Sequence, residues 1–234
     1  MSKRFSASSA AQLMMCPGSA NLELAIPGWK EPVRDDMAGA KGVGTRLHEV
    51  LQPFHAMSST ALYNYAETVY DFSKLHHTRR KSLAAKQTEF EAWMDINYGG
   101  LLYGVPDTVF KDLLEFPPKL LRYVSDVADY MGDLANTYGP QTRVRAEENL
   151  IAEWLPSKSG TTPDVTIVEP SRLEVIDYKT GAIPVSPVEN AQLLFYAACL
   201  LHMAPEAEEV TLHILQPGNL ESWTAPISYL KGWM

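Results

Sequence analysis

Residues 173–181 constrain the fold more than any other part of the chain. They run Leu-Glu-Val-Ile-Asp-Tyr-Lys-Thr-Gly, an apolar segment that ends in an acid, a lysine and a glycine. Such a segment predicts a strand, and Asp177 and Lys179, two residues apart, leave the same face of it. A carboxylate beside an ammonium can hold a divalent cation and act on a phosphate. The spacing alone is more typical of a surface ion pair, so a catalytic interpretation depends on other residues of the chain.

Composition sets the class of protein. The chain has 234 residues, of which 46% are hydrophobic and 21% charged, which is enough for a globular core. No apolar run approaches the roughly 18 residues of a membrane span, and Met1–Ala11 lacks the apolar centre of a secretory signal. Two distant cysteines, Cys16 and Cys199, favour a reducing compartment, so we expect a cytoplasmic protein without membrane contact. The net charge of −8 argues against coating nucleic acid with the whole surface.

The N-terminal part of the chain predicts helices. The predicted helical segments are Ser6–Met15, a helix from Gly44 onward, residues 58–95, and Pro117–Tyr138. In the second of these, Thr45 is a candidate cap and His48 lies in the first turns. A lone histidine on a helix is usually structural or exposed, so helix placement alone assigns His48 no function.

A basic stretch stands out in this acidic protein. Its cations include Lys74, Arg79, Arg80 and Lys81. Two interpretations are about equally supported: a solvated helix face, or contact with the phosphates of DNA.

The C-terminal part predicts a sheet. Three strands, Arg143–Ile151, Asp164–Val168 and Leu173–Lys179, are connected by turns at residues 156–163 and 169–172 and form an antiparallel meander. The segments that follow are a helix at Val188–Met203, a strand at Val210–Gln216 and an edge strand at Glu221–Ser228. The expected class is therefore α+β, with a mixed sheet flanked by helices.

The meander brings acids together. Asp164 begins the second strand and Asp177 ends the third, so the two lie at the same end of an antiparallel pair. Oxygen ligands of this kind suit Mg²⁺ or Mn²⁺. The first strand adds Glu147, with Glu148 as its rival because a shift of one residue changes which side chain faces inward.

These residues carry a family resemblance. Glu147, Asp164, Asp177-Tyr178-Lys179 and Gln192-x-x-x-Tyr196 resemble, in this order, the motifs of the PD-(D/E)XK nuclease superfamily, and most closely its RecB-type exonuclease branch with phage-encoded members. The segment from Gly44 to His48 also matches that branch. The chain departs from the pattern at residues 160–164, where the glycine-to-aspartate element is one residue longer than usual. The resemblance implies one nuclease domain over residues 1–234, with a restriction-endonuclease-like core, a mostly helical part at 1–140 and the catalytic sheet at 141–234.

The resemblance also implies roles for individual residues. Asp164 and Asp177 would be metal ligands, joined by the Tyr178 carbonyl and by His48.

Four further residues would complete the site. Lys179 would position or activate the attacking water, and Glu147 would orient the metal or hold its water. Gln192 and Tyr196 would support the site and contact DNA.

The function that follows is a Mg²⁺-dependent DNA exonuclease, with Mn²⁺ as a possible substitute, in phage recombination or DNA processing in the cytoplasm of an infected bacterium. A structure-specific or nicking endonuclease and a DNA-binding or assembly protein with little turnover are the alternatives. Expected partners are DNA, a phage recombinase or single-strand-binding protein, and further copies of the chain. No iron–sulfur cluster is expected, because Cys16 is the one cysteine placed like a cluster ligand.

Overall fold

The computed structural model describes residues 10, 40–51, 69, 71–72, 82–98, 113–155, 160–181 and 183–234. The chain divides into two compact units. We call Lys41–Thr137 the helical unit, and Met1–Ala40 together with Tyr138–Met234 the sheet unit. The prediction of a single nuclease domain stays a prediction.

The described helices of the first part are α1 (Ala40–Leu51), α2 (Leu83–Tyr98) and α3 (Pro118–Ala135). Helix α3 confirms the helix predicted over Pro117–Tyr138. Its start follows from its two prolines: Pro117 is extended at the cap position and Pro118 occupies the first helical position, where a missing N–H costs nothing. The apolar stripe of α3 is buried, as its spacing predicts.

Helix α1 begins at Ala40, so the prediction of Thr45 as its cap is wrong. Thr45 is exposed inside the helix. Glycines at 42 and 44 disfavour a helix by about 1 kcal/mol each relative to alanine, which made this segment resemble a loop. Leu47, Val50 and Leu51 are fully buried, and packing of that face stabilises the helix despite the glycines.

The sheet unit has an α+β architecture, which confirms the expected class. Its strands are β1 (Arg143–Ala146), β2 (Leu150–Ile151), β3 (Gly160–Thr161), β4 (Val165–Val168), β5 (Arg172–Tyr178), β6 (Glu209–Gln216) and β7 (Asn219–Pro226). Five of them form a mixed sheet in the order β1-β4-β5-β6-β7, and β2 pairs with β3 in a small second sheet. The antiparallel meander of β1, β4 and β5 is confirmed.

Two further helices follow the meander, α4 (Ala191–Leu200) and α5 (Ile227–Trp233), with a 3₁₀ turn at Leu201–Met203. Strands β5 and β6 run parallel. A parallel pair requires a crossover connection, and helix α4 provides it. Its apolar residues and one face of the sheet share a buried core. Asn190 caps α4: its side chain accepts hydrogen bonds from the N–H groups of Gln192 and Leu193.

The prediction of one strand over Arg143–Ile151 is wrong. Strand β1 ends at Ala146, opposite Val165. Glu147 then adopts a left-handed backbone, with φ of 52°, while its N–H donates to the Asp164 carbonyl at 3.1 Å. This conformation lies outside the β region of backbone angles. The chain therefore turns there, and residues 150–151 join the second sheet.

The C-terminal end also differs from the prediction. The edge strand is found at Asn219–Pro226, and Ser228 belongs to α5 instead. Extended Pro226 lies at the cap position of that helix, so the strand ends where the helix begins. Among the helices in the described ranges, none has the length and apolar character needed to cross a membrane.

Candidate active site

The two central acids lie at one end of the sheet. In the β4–β5 ladder Val165 is opposite Ile176, so Asp164 and Asp177 take the next position out. Asp164 is half-buried and Asp177 is 4% exposed. The register thus delivers two acids from two strands to the same edge.

Backbone hydrogen bonding orients Asp164. Its Oδ2 accepts the N–H of Tyr178 at 2.6 Å. The N–H and C=O of one extended residue point to the same edge of a strand, so the Tyr178 carbonyl also faces the side of Asp164. Burial and the Asp164 carboxylate raise the pKa of the Tyr178 phenol above its ordinary range. Tyr178 therefore acts here through its backbone while its side chain stays in the core.

Asp177, Lys179 and Gln192 form a closed ring of polar contacts. The Lys179 ammonium lies 2.6 Å from Asp177 Oδ2 and donates to Gln192 Oε1 at 3.2 Å. Gln192 Nε2 donates to Asp177 Oδ1 at 3.3 Å, which completes the ring. The ammonium is thereby fixed beside a nearly buried carboxylate.

Tyr196 extends this ring along α4. It lies four residues after Gln192, on the same helix face, and its phenolic oxygen accepts a hydrogen bond from Gln192 Nε2 at 2.8 Å. Burial raises the pKa of Tyr196 to about 12; the Asp177 and Asp164 carboxylates add to the rise, and hydrogen bonds from Gln192 and Thr161 oppose it. The phenol is therefore protonated at neutral pH and can act as a donor.

Sequence reasoning missed Thr161 as part of this arrangement. Thr161 lies on β3, is 8% exposed and hydrogen-bonds Tyr196. The short β3 strand falls where a turn was predicted, and a turn does not indicate which of its side chains point into the site.

The two neighbouring glutamates have different surroundings. Glu147 and Asp164 each present a carboxylate oxygen within 4.8 Å of the other. Glu148 instead pairs with Arg145, and its second oxygen is buried without a hydrogen-bond partner among the described residues. Alternation along a strand cannot distinguish the two, because both lie beyond the end of β1. Proximity to Asp164 favours Glu147.

His48 and the basic stretch are the remaining predicted site residues. His48 is half-buried in the third turn of α1, within the helical unit, and its metal role stays a prediction. The predicted DNA contacts Lys74, Arg79, Arg80 and Lys81 lie outside the described residues.

The donor set of the sheet end fits a hard divalent cation. Glu147, Asp164 and Asp177 supply carboxylate oxygens, and Tyr178 supplies a carbonyl oxygen. Mg²⁺ and Mn²⁺ prefer such ligands over nitrogen or sulfur. Each carboxylate oxygen has two acceptor positions, so the hydrogen bonds at Asp164 and Asp177 leave capacity for a cation.

The fold and the site define an α+β protein with an acidic, lysine-bearing sheet end. The chain belongs to the DUF2800 family, described as a protein of unknown function, whose model matches residues 3–234. No curated protein matches the sequence. Among solved structures, the crystal structure of SSO0001 is similar at 15% identity over 76% of this chain and 84% of that chain, with a TM-score of 0.28. A similarity this low supports no conclusion about fold or function.

Proposed function

We propose that the protein is a metal-dependent deoxyribonuclease that hydrolyses phosphodiester bonds, acting as an exonuclease. The observation that carries the proposal is the meeting of Asp164, Asp177 and Lys179 at one sheet end, with Lys179 2.6 Å from Asp177. The resemblance of these residues to the PD-(D/E)XK nucleases supports the same conclusion. The hydrogen bonds that Gln192 makes with Lys179 and Tyr196 also support it.

Glu147, Asp164, Asp177 and the Tyr178 carbonyl would hold Mg²⁺ or Mn²⁺. When bound, such a cation polarises a phosphoryl oxygen and lowers the pKa of a coordinated water. His48 enters the proposal as a further ligand from the sequence pattern alone.

The protein's own groups provide the rest of the chemistry. The Lys179 ammonium can donate to the attacking water or to a phosphate oxygen, where negative charge develops. Gln192 limits the positions of that ammonium, because it accepts one of its three N–H bonds. The protonated Tyr196 phenol can donate to the DNA backbone. Hydrolysis needs no covalent intermediate with this set of groups.

The wider proposal concerns the partners. The substrate is DNA, with Lys74, Arg79, Arg80 and Lys81 as phosphate contacts, and the setting is phage recombination or DNA processing. A phage recombinase or single-strand-binding protein, and association of the chain with itself, belong to the same proposal.

The test is a digestion of end-labelled linear duplex, single-stranded and closed circular DNA with Mg²⁺, Mn²⁺ or EDTA. We expect degradation of linear DNA with either metal, none with EDTA, and intact circles, because an exonuclease needs an end. The Asp177→Asn variant should be inactive, which excludes a contaminating nuclease. Cutting of circles would establish a nicking endonuclease instead. Binding of DNA without hydrolysis under every condition would replace the proposal with a DNA-binding or assembly protein.

A further inference from the structure

Gln216 lies beside the point where the chain leaves β5, the strand that carries Asp177. It is the last residue of β6, whose Leu215 pairs with Tyr178 of β5. The N–H of Lys179 donates to the Leu215 carbonyl at 2.9 Å, which continues the pairing by one residue. Gln216 is 4% exposed, so its amide is buried next to the start of the loop that follows Lys179.

Among the residues that the structure describes, the Gln216 amide bonds only to the backbone of that loop. Its Oε1 accepts the N–H of Val185 at 3.1 Å, and its Nε2 donates to the carbonyl of Ile183 at 2.8 Å and to that of Gly181. We call residues 181 and 183–190 the connecting loop, since they join β5 to α4. One side chain thus satisfies three polar backbone groups of the connecting loop.

The other end of the connecting loop is tied by Asn190. Its Nδ2 donates to the Ser186 carbonyl at 3.0 Å, and its Oδ1 accepts the N–H of Gln192 at 3.1 Å. Gln216 therefore fixes the loop just after Lys179, and Asn190 fixes it just before Gln192. The hydrogen bond from the Lys179 ammonium to Gln192 spans a segment that is held at both ends.

We infer that Gln216 is a positioning residue for the Lys179–Gln192 pair, and hence for the ammonium beside Asp177. The inference rests on the proposed nuclease function and adds to it a residue that touches neither DNA nor the reacting atoms. Because Nε2 contacts two carbonyl oxygens, the position requires a donor there and an acceptor at Oε1. Glutamine supplies both, and a carboxylate supplies the acceptor alone.

The experiment compares Gln216→Glu with the wild-type protein. The substitution keeps the shape but places a carboxylate oxygen against the Gly181 and Ile183 carbonyls. Supporting residues of catalytic sites typically contribute 10- to 100-fold, so we expect kcat on linear DNA to fall by about that factor with little change in KM. The deficit should shrink as the pH falls, since a protonated carboxyl group regains one donor. Gln141→Glu makes the same charge change at an exposed position and should leave kcat unchanged.

A readout independent of activity is hydrogen exchange. In Gln216→Glu the Val185 amide and its loop neighbours should exchange faster, while the amides of β4 keep wild-type rates. If that variant does not fold, Gln216→Asn serves instead, because it keeps the amide and shortens the reach by one methylene. The same two changes are expected from it.

Two results distinguish failure of the positioning role from failure of the nuclease proposal. Wild-type kcat and wild-type exchange in the connecting loop of a folded Gln216 variant would overturn the positioning role and leave the nuclease proposal intact. Absence of hydrolysis by the wild-type protein would overturn the nuclease function, and the positioning role with it.

Discussion

The carboxylate of Asp164 and the backbone N–H of Tyr178 are joined by a 2.6 Å hydrogen bond across the end of the β4–β5 pair. Asp164 stands just before β4 and is half-buried. The bond ties its orientation to the backbone of the neighbouring strand. One oxygen of Asp164 thus orients the side chain through this hydrogen bond, and the carboxylate as a whole supplies negative charge at the site.

Asp164→Asn should separate these two contributions. The amide oxygen can still accept the Tyr178 N–H, so thermal unfolding should change little. Loss of the negative charge should lower Mg²⁺-dependent hydrolysis of linear DNA by about 100-fold or more, as expected for a metal ligand. The measurements are single-turnover DNA hydrolysis and the melting temperature by circular dichroism.

The control for Asp164→Asn is Asp133→Asn, which removes an exposed carboxylate from α3. It should hydrolyse DNA at the wild-type rate. Wild-type activity in Asp164→Asn itself would remove this residue from the proposed site.

The sequence allowed prediction of the features that local rules determine. A short turn after β4 dictates antiparallel pairing of β4 with β5, and that pairing sets Asp164 opposite Asp177. Helical spacing places Gln192 and Tyr196 on one face of α4. These relations require no knowledge of distant contacts.

Other features depend on contacts that pattern rules do not encode. Glu147 looks like a strand residue, yet its left-handed backbone ends β1. Glycine-containing α1 forms because its apolar face is buried. Gln216 bonds to a loop more than 30 residues earlier in the chain, and nothing in its neighbourhood points to that role.

The Tyr196 phenol makes a prediction for alkaline pH. Its pKa is raised to about 12 in the folded protein, mainly by burial, against about 10 in the unfolded chain. The folded state therefore holds this proton more tightly, and the resulting stability is complete below pH 10 and lost as the pH rises from 10 towards 12. The loss is at most about 1.4 kcal/mol per pH unit.

Urea unfolding at pH 8 and pH 11 measures this effect. The wild-type protein should lose more stability between the two pH values than Tyr196→Phe, since other tyrosines contribute equally to both. Equal losses would contradict the raised pKa of Tyr196.

The Cys199 thiol should report the opening of α4. It is 1% exposed, and burial raises its pKa to about 12. Both effects suppress the thiolate that reacts with alkylating reagents. In a Cys16→Ser variant, which leaves Cys199 as the single cysteine of the sequence, iodoacetamide labelling at pH 8 should be slow and should accelerate sharply in urea near the unfolding midpoint. Rapid labelling in native buffer would show instead that α4 opens locally without unfolding the sheet.

Lys179→Met should separate metal binding from hydrolysis. The ammonium lies 2.6 Å from Asp177, so its removal deprives a nearly buried carboxylate of its positive neighbour and should cost about 1–3 kcal/mol of stability.

The same removal takes a positive charge away from the proposed cation site, so Mg²⁺ should bind more tightly, by roughly 10-fold on Coulomb's law in a water-like dielectric. Hydrolysis should nevertheless be lost, because no ammonium remains to act on the water or the phosphate. Isothermal titration with Mg²⁺ and DNA hydrolysis measure the two effects, and Lys231→Met, at an exposed position of α5, is the matched control. Weaker Mg²⁺ binding in Lys179→Met would mean that the ammonium organises the acids of the site, whereas retained hydrolysis would leave Lys179 as no more than a partner for Asp177.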